Sequence, residues 1–204
     1  MHKSELLLPA GSLVKLKTAI MYGADAVYAG TPDMSLRTQS KFSLSDIEEG
    51  IKFAHDNGKK IYLTLNLYIH NEEAAKRPQF TDTLRALKPD GVLIADPGVF
   101  YYLKEHAPEL NRFVSTQANI CSSQTVKFWQ SMDAKLCVLG REVTFAEMKQ
   151  IRNECPDILL ETFVHGAMCM SYSGRCLISN FLADRSANKG NCAHCCRWHY
   201  KLHL

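Results

Sequence analysis

The stretch GVLIADPGVFYYLKEH, residues 91–106, changes its periodicity partway along. Residues 91–95 are apolar at consecutive positions, as in a strand covered on both faces. Asp96 and Pro97 then supply an N-cap and a first-turn proline, and VFYYLKEH continues as a helix. A buried strand that runs straight into a helix is the repeating unit of parallel α/β folds, so the fold class depends on how often this unit recurs.

It recurs along most of the chain. ELLLPAG leads into SLVKLKTAIMYG, and DAVYAG into SLSDIEEGIKFAHDNG, whose Leu44, Ile47, Ile51 and Phe53 keep helical spacing. KKIYLTLNLY precedes a helix near TDTLRALK, NRFVSTQAN precedes SSQTVKFWQSM, KLCVLG precedes TFAEMKQIRNE, and ILLETFVHG ends the series. Ser43 or Ser45 is positioned to cap the second helix, and Thr144 with Glu147 forms a capping-box pattern. Gly23 and Gly58 stand where helices should stop. The expectation is an α/β fold: a (β/α) TIM-like barrel over residues 1–166, complete or one unit short, rather than an open doubly wound sheet. No GxGxxG or GxxxxGK loop is present, which lowers a nucleotide-binding reading.

After His165 the alternation stops. Residues 167–204 form a cysteine-rich segment with many Ser, Asn, Gly and Arg residues, too long for a plain connection. It leaves the C-terminal end of the seventh strand, the face where barrels keep their sites. The whole chain has a formal charge of +3, yet residues 171–204 carry Arg175, Arg185, Lys189, Arg197 and Lys201 against Asp184 alone. The basic excess therefore lies beside the cysteines, where it fits either a solvated surface or a contact with phosphate. No segment has the length of a membrane span or the form of a signal peptide, so the expectation is a cytoplasmic protein without a membrane partner.

In a reducing compartment, eight cysteines do not form a disulfide framework. Cys121, Cys137 and Cys155 stand apart. Cys169 and Cys176 are separated by six residues, Cys176 and Cys192 by fifteen, and Cys192 and Cys196 by three. Soft thiolates gathered by one loop suit an iron–sulfur cluster or zinc, and the wide first pair leans toward iron–sulfur. Cys192 with Cys195 also reads as CxxC, a redox option that lacks its usual early-strand context. Polar residues at the strand ends, Asn66, Asp96, Gln117, Asn119, Arg141, Glu142 and His165, should face the same mouth; Asp96 reads as a helix cap. Arg141 offers a planar fork for a carboxylate, and His165 is an acid–base candidate.

The pattern of Glu161, Phe163, Gly166, Cys169 and Cys176 in ETFVHGAMCMSYSGRC resembles the signature of the bacterial collagenase-like family, historically filed as peptidases of unknown catalytic type. ELLLPAG, YGADAVYAG, STQAN and RSANKGNCAHCCRW extend the resemblance along the whole chain. It is strongest to the members that hydroxylate the wobble uridine of tRNA and weaker to the ubiquinone-pathway members that hydroxylate without oxygen. The resemblance implies a tRNA-modifying enzyme forming 5-hydroxyuridine, with prephenate as co-substrate and a [4Fe-4S] cluster on Cys169, Cys176, Cys192 and Cys196. Cys195 falls where relatives commonly carry proline or another non-ligand. The implied partners are tRNA, prephenate and the iron–sulfur assembly machinery. Arg141, Glu142 and His165 become the catalytic candidates, and Arg141, Arg175, Gln117 and Asn66 the contacts to the cofactor or co-substrate. The alternatives are a collagenase-like protease, a ubiquinone-pathway hydroxylase and a non-catalytic RNA-binding domain. Family members are commonly about twice as long, so a further C-terminal domain is expected outside this chain.

Overall fold

The computed structural model describes residues 4–31, 42–166, 168–172, 175–187 and 191–201. Seven strands form one parallel sheet in sequential order: β1 (Leu7–Ala10), β2 (Ala26–Gly30), β3 (Lys60–Leu65), β4 (Gly91–Ile94), β5 (Arg112–Val114), β6 (Leu136–Val138) and β7 (Leu159–Glu161). The helices between them are α1 (Leu13–Met21), α2 (Leu44–Asp56), α3 (Asn71–Ala74), α4 (Arg77–Leu87), α5 (Pro97–His106), α6 (Ser123–Ser131) and α7 (Phe145–Glu154). Strictly sequential parallel order with a helix after each strand is barrel winding, and the sheet curls into a half-barrel with β1 and β7 as its edges. Among the described residues no helix is long and apolar enough to cross a membrane.

Alternation along each strand separates two apolar layers. Val27, Ile61, Leu63, Val92, Ile94 and Val114 face the helices, where they join Leu16, Ile47, Ile51, Leu84, Phe100 and Leu103 in the main core. Ala26, Tyr62, Leu93, Phe113, Leu136 and Val138 fill the concave side. The consecutive apolar run of residues 91–95 thus serves both faces of β4 at once. Phe100 is fully buried and meets Trp129 of α6 at 5.1 Å, tying neighbouring helices together.

The helix starts follow their capping chemistry. Ser43 caps α2, with Asp46 closing the box, and Thr144 pairs with Glu147 at α7. Asp96 Oδ1 accepts from the amides of Gly98 at 2.7 Å and Val99 at 3.0 Å. Its Oδ2 takes the Ile69 amide at 3.4 Å, so one carboxylate joins the loop after β3 to the start of α5. Asp96→Ala should lower stability by about 1–2 kcal/mol, the cost of a lost N-cap, seen as a drop of a few degrees in a thermal melt.

Two local readings change. The strand expected through NRFVSTQAN ends at Val114, because residues 116–118 wind into a 3-10 turn that closes with Asn119 in the left-handed region, φ 53°. The cysteine-rich segment, where the alternation of strands and helices stops, still contains a helix, α8 (Ile178–Ala183). At six residues it is too short for an apolar period to reveal it.

Candidate active site

The C-terminal ends of the strands open into a cavity of about 600 Å³, roofed by the cysteine-rich segment. The barrel side supplies Tyr28, Thr64, Asn66, Ser115, Gln117 and Arg141. Leu93 and Val138 line it lower down, and Glu161 and Phe163 line it from β7 and its continuation. Gln117 is buried, accepts a hydrogen bond from Ser115 Oγ, and gives its main-chain carbonyl to the Tyr68 hydroxyl at 2.7 Å. The Arg141 guanidinium lies over the Phe163 ring, 4.1 Å from its centroid. This stacking holds the plane of the guanidinium beside the cavity.

The roof is built by hydrogen bonds rather than by a core. Ser179, fully buried on α8, accepts the Ala193 amide at 2.9 Å. Arg185 reaches Asn191 Oδ1 at 2.9 Å and the Cys192 carbonyl at 3.5 Å, and the Asn191 amide returns to the Ser186 carbonyl at 2.9 Å. Arg197 Nη2 donates to the Met168 carbonyl at 3.4 Å, which links the two halves of the segment. Arg175 Nη2 lies 3.4 Å from the Tyr68 hydroxyl and so ties the roof to the loop after β3.

Cys169, Cys176, Cys192 and Cys196 all line this cavity, together with His194 and Arg197. Cys195 is 1% exposed and does not line it. The separation of Cys195 from Cys196 is geometric: the two are consecutive in a single 3-10 turn, Cys195–Arg197, where successive side chains point about 120° apart. One thiol therefore packs inward while the next faces the cavity. The His194 amide donates to Cys192 Sγ at 3.3 Å. Among the described residues no three His, Cys, Asp or Glu side chains converge as single-ion ligands. The four thiols that line the cavity are the soft donors available to a metal or cluster there.

The other candidates are distributed unevenly. Asn66, Gln117 and Arg141 line the cavity; Glu142, His165 and Arg175 are exposed and are not among its lining residues. Glu142 lies instead beside Cys121, whose thiol is pushed up by burial and by this carboxylate. Two lining residues were not singled out for this role from the sequence. Arg197 reads there only as part of the basic excess, although its place one residue after Cys196 is a usable signal. Glu161 reads only as a motif letter. Partly buried at the end of β7, it is pushed up to about 7, chiefly by burial and then by the Glu5 carboxylate.

Residues 11–203 match the family model described as peptidase family U32. The chain belongs to that family. It is 44% identical over 99% of its length to tRNA hydroxylation protein P of Escherichia coli K12, covering 45% of that protein. It is 36% identical over 98% of its length to the 23S rRNA 5-hydroxycytidine C2501 synthase of the same organism, covering 30% of it. The solved structure of the U32 peptidase Mk0906 superposes with a TM-score of 0.65 at 17% identity, over 79% of this chain and 70% of that one, and shows the same fold. The chain spans about half the length of the tRNA hydroxylation proteins it matches.

Proposed function

We propose that this U32 chain carries the reaction cavity of an RNA-hydroxylating enzyme that converts a tRNA uridine to 5-hydroxyuridine, with prephenate as hydroxyl donor. The observation that carries this reading is one cavity that combines four thiols on its roof with an arginine fork and amide and hydroxyl groups on its barrel side. The names of two relatives, one acting on tRNA and one on rRNA, favour hydroxylation of a pyrimidine as the shared chemistry.

Cys169, Cys176, Cys192 and Cys196 would hold a [4Fe-4S] cluster. Bound there, it would supply redox or Lewis-acid chemistry at the cavity wall. The chain's own residues do the rest. Arg141, held flat on Phe163, and Arg197 take the carboxylates of a small acid. Gln117 and Asn66 orient its neutral part, and the roof covers one side of the cavity. On the roof segment, Tyr172, Trp198 and Tyr200 are exposed, as are Arg175 and Lys201, side chains suited to stacking unpaired bases and meeting phosphates.

The test is nucleoside mass spectrometry of tRNA from cells that lack their own tRNA hydroxylase and express the full-length protein containing this chain. 5-Hydroxyuridine is expected with the unaltered protein and is expected to vanish with Cys196→Ala. Absence of the modified nucleoside, with hydrolysis of gelatin by the purified protein, would instead favour the peptidase reading attached to the family name.

A further inference from the structure

We propose that Glu161 is a specificity-determining contact at the inner end of this cavity: its carboxyl donates a hydrogen bond to an oxygen of a small organic acid whose carboxylate lies against the arginines nearer the mouth. The inference rests on the proposed small-acid donor and adds the orientation in which that acid binds.

The vertical order follows from register. Glu161 pairs with Val138 across β6 and β7, and its carbonyl accepts the Leu139 amide at 2.9 Å. Arg141 comes three residues after Val138, up to about 10 Å nearer the mouth at the rise of a strand. Phe163, two residues after Glu161, lines the same cavity and carries the Arg141 guanidinium on its ring. The cavity wall therefore presents a carboxyl below, an aromatic face above it and a cation beside that face. A ligand with a carboxylate at one end, an apolar middle and a hydroxyl or carbonyl at the other matches all three.

Charge sets the direction of the lower contact. Glu5, just ahead of β1, is held by Lys60 at 2.7 Å and accepts the Tyr62 hydroxyl at 2.6 Å, so its negative charge stays in place within reach of Glu161. Burial and Glu5 together keep Glu161 protonated up to about neutral pH, and among the described residues no hydrogen bond to it acts to lower it. A protonated carboxyl can donate where a carboxylate can only accept. The other ionisable groups facing this region are Tyr62 and Asp90 on the inner side, Tyr28 and Arg141 on the barrel side, and His194, Arg197 and the four cysteines on the roof.

The experiment is calorimetric titration of the full-length protein with prephenate from pH 6 to pH 8.5, using the unaltered protein and Glu161→Gln, which keeps a donor without a titrating proton. For the unaltered protein, binding is expected to weaken toward tenfold per pH unit above about 7. Glu161→Gln is expected to match it at pH 6 and to lack that component at high pH. Any slope left in the Gln variant belongs to the other groups. Superimposable pH profiles for the two proteins would overturn the inference while leaving the donor reading intact. If neither protein binds prephenate, the donor reading fails, and the inference that rests on it is overturned with it.

Discussion

Gly91→Ala is expected to be the most destabilising single-methyl change in the sheet. A Cβ on Gly91 would meet Phe113 ring carbons at 2.2, 2.5 and 2.9 Å, closer than any packed side chain tolerates. The reason lies in three neighbouring strands. Tyr62 on β3 is directly opposite Gly91 on β4. Phe113 on β5 leans over the same spot, and the two rings meet edge to face at 5.0 Å with planes 87° apart. Strands two apart in a sheet are separated by about 9.5 Å, so two rings can meet over the middle strand only if its residue has no side chain. Neither ring can retreat easily: both are buried, and the Tyr62 hydroxyl is anchored on Glu5. Overpacking of this kind costs about 3 kcal/mol, which for a chain of this size lowers the melting temperature by roughly 6–12 °C. Urea unfolding of Gly91→Ala, Phe113→Leu and the double variant checks the mechanism. The double variant should recover part of the alanine penalty, whereas strictly additive effects would place the cause elsewhere.

That glycine also marks how far the fold could be read in one dimension. The change of period within residues 91–106, and its recurrence, was enough for parallel strands, covering helices and caps at Ser43, Asp96 and Thr144, because these are local consequences of periodicity and hydrogen-bond chemistry. Gly91 looks like an ordinary strand opener in the sequence; its role appears only when β3 and β5 are laid beside it. The site divides in the same way. Arg141, Gln117 and Asn66 line the cavity, as expected of residues just past strand ends. Glu142 follows Arg141 directly, but both lie in the turn after β6, where Arg141 lines the cavity and Glu142 lies beside Cys121. His165 lies beyond Phe163 on an exposed turn, next to Gly166 with φ 134°. Glu161 escaped notice for the converse reason: a carboxylate in a short strand looks solvent-facing until the register with β6 turns it inward.

Alanine substitution at each cysteine of the roof should divide the five residues four to one. Cys169→Ala, Cys176→Ala, Cys192→Ala and Cys196→Ala are each expected to lose most of the iron and sulfide retained after anaerobic reconstitution, falling from about four irons per chain, as one cubane requires. Cys195→Ala should keep both, together with the absorption and EPR signature of the cluster, because its thiol is packed beneath the 3-10 turn while its neighbour's faces the cavity. The contrast is demanding, since Cys195 and Cys196 are adjacent and CxxC spacing alone would select Cys195. A small loss of stability is expected for Cys195→Ala, as for any buried side chain shortened in place, and a melt measured alongside the iron content separates it from loss of a ligand. Retention of iron by Cys196→Ala with loss by Cys195→Ala would exchange the two assignments and require the turn to rotate by about a third of a revolution. Zinc in place of iron after anaerobic reconstitution would leave the four thiols as a structural clasp and remove the redox contribution from the cavity wall. With iron bound, the same four residues bring that chemistry to the wall shared by Arg141, Gln117 and Glu161.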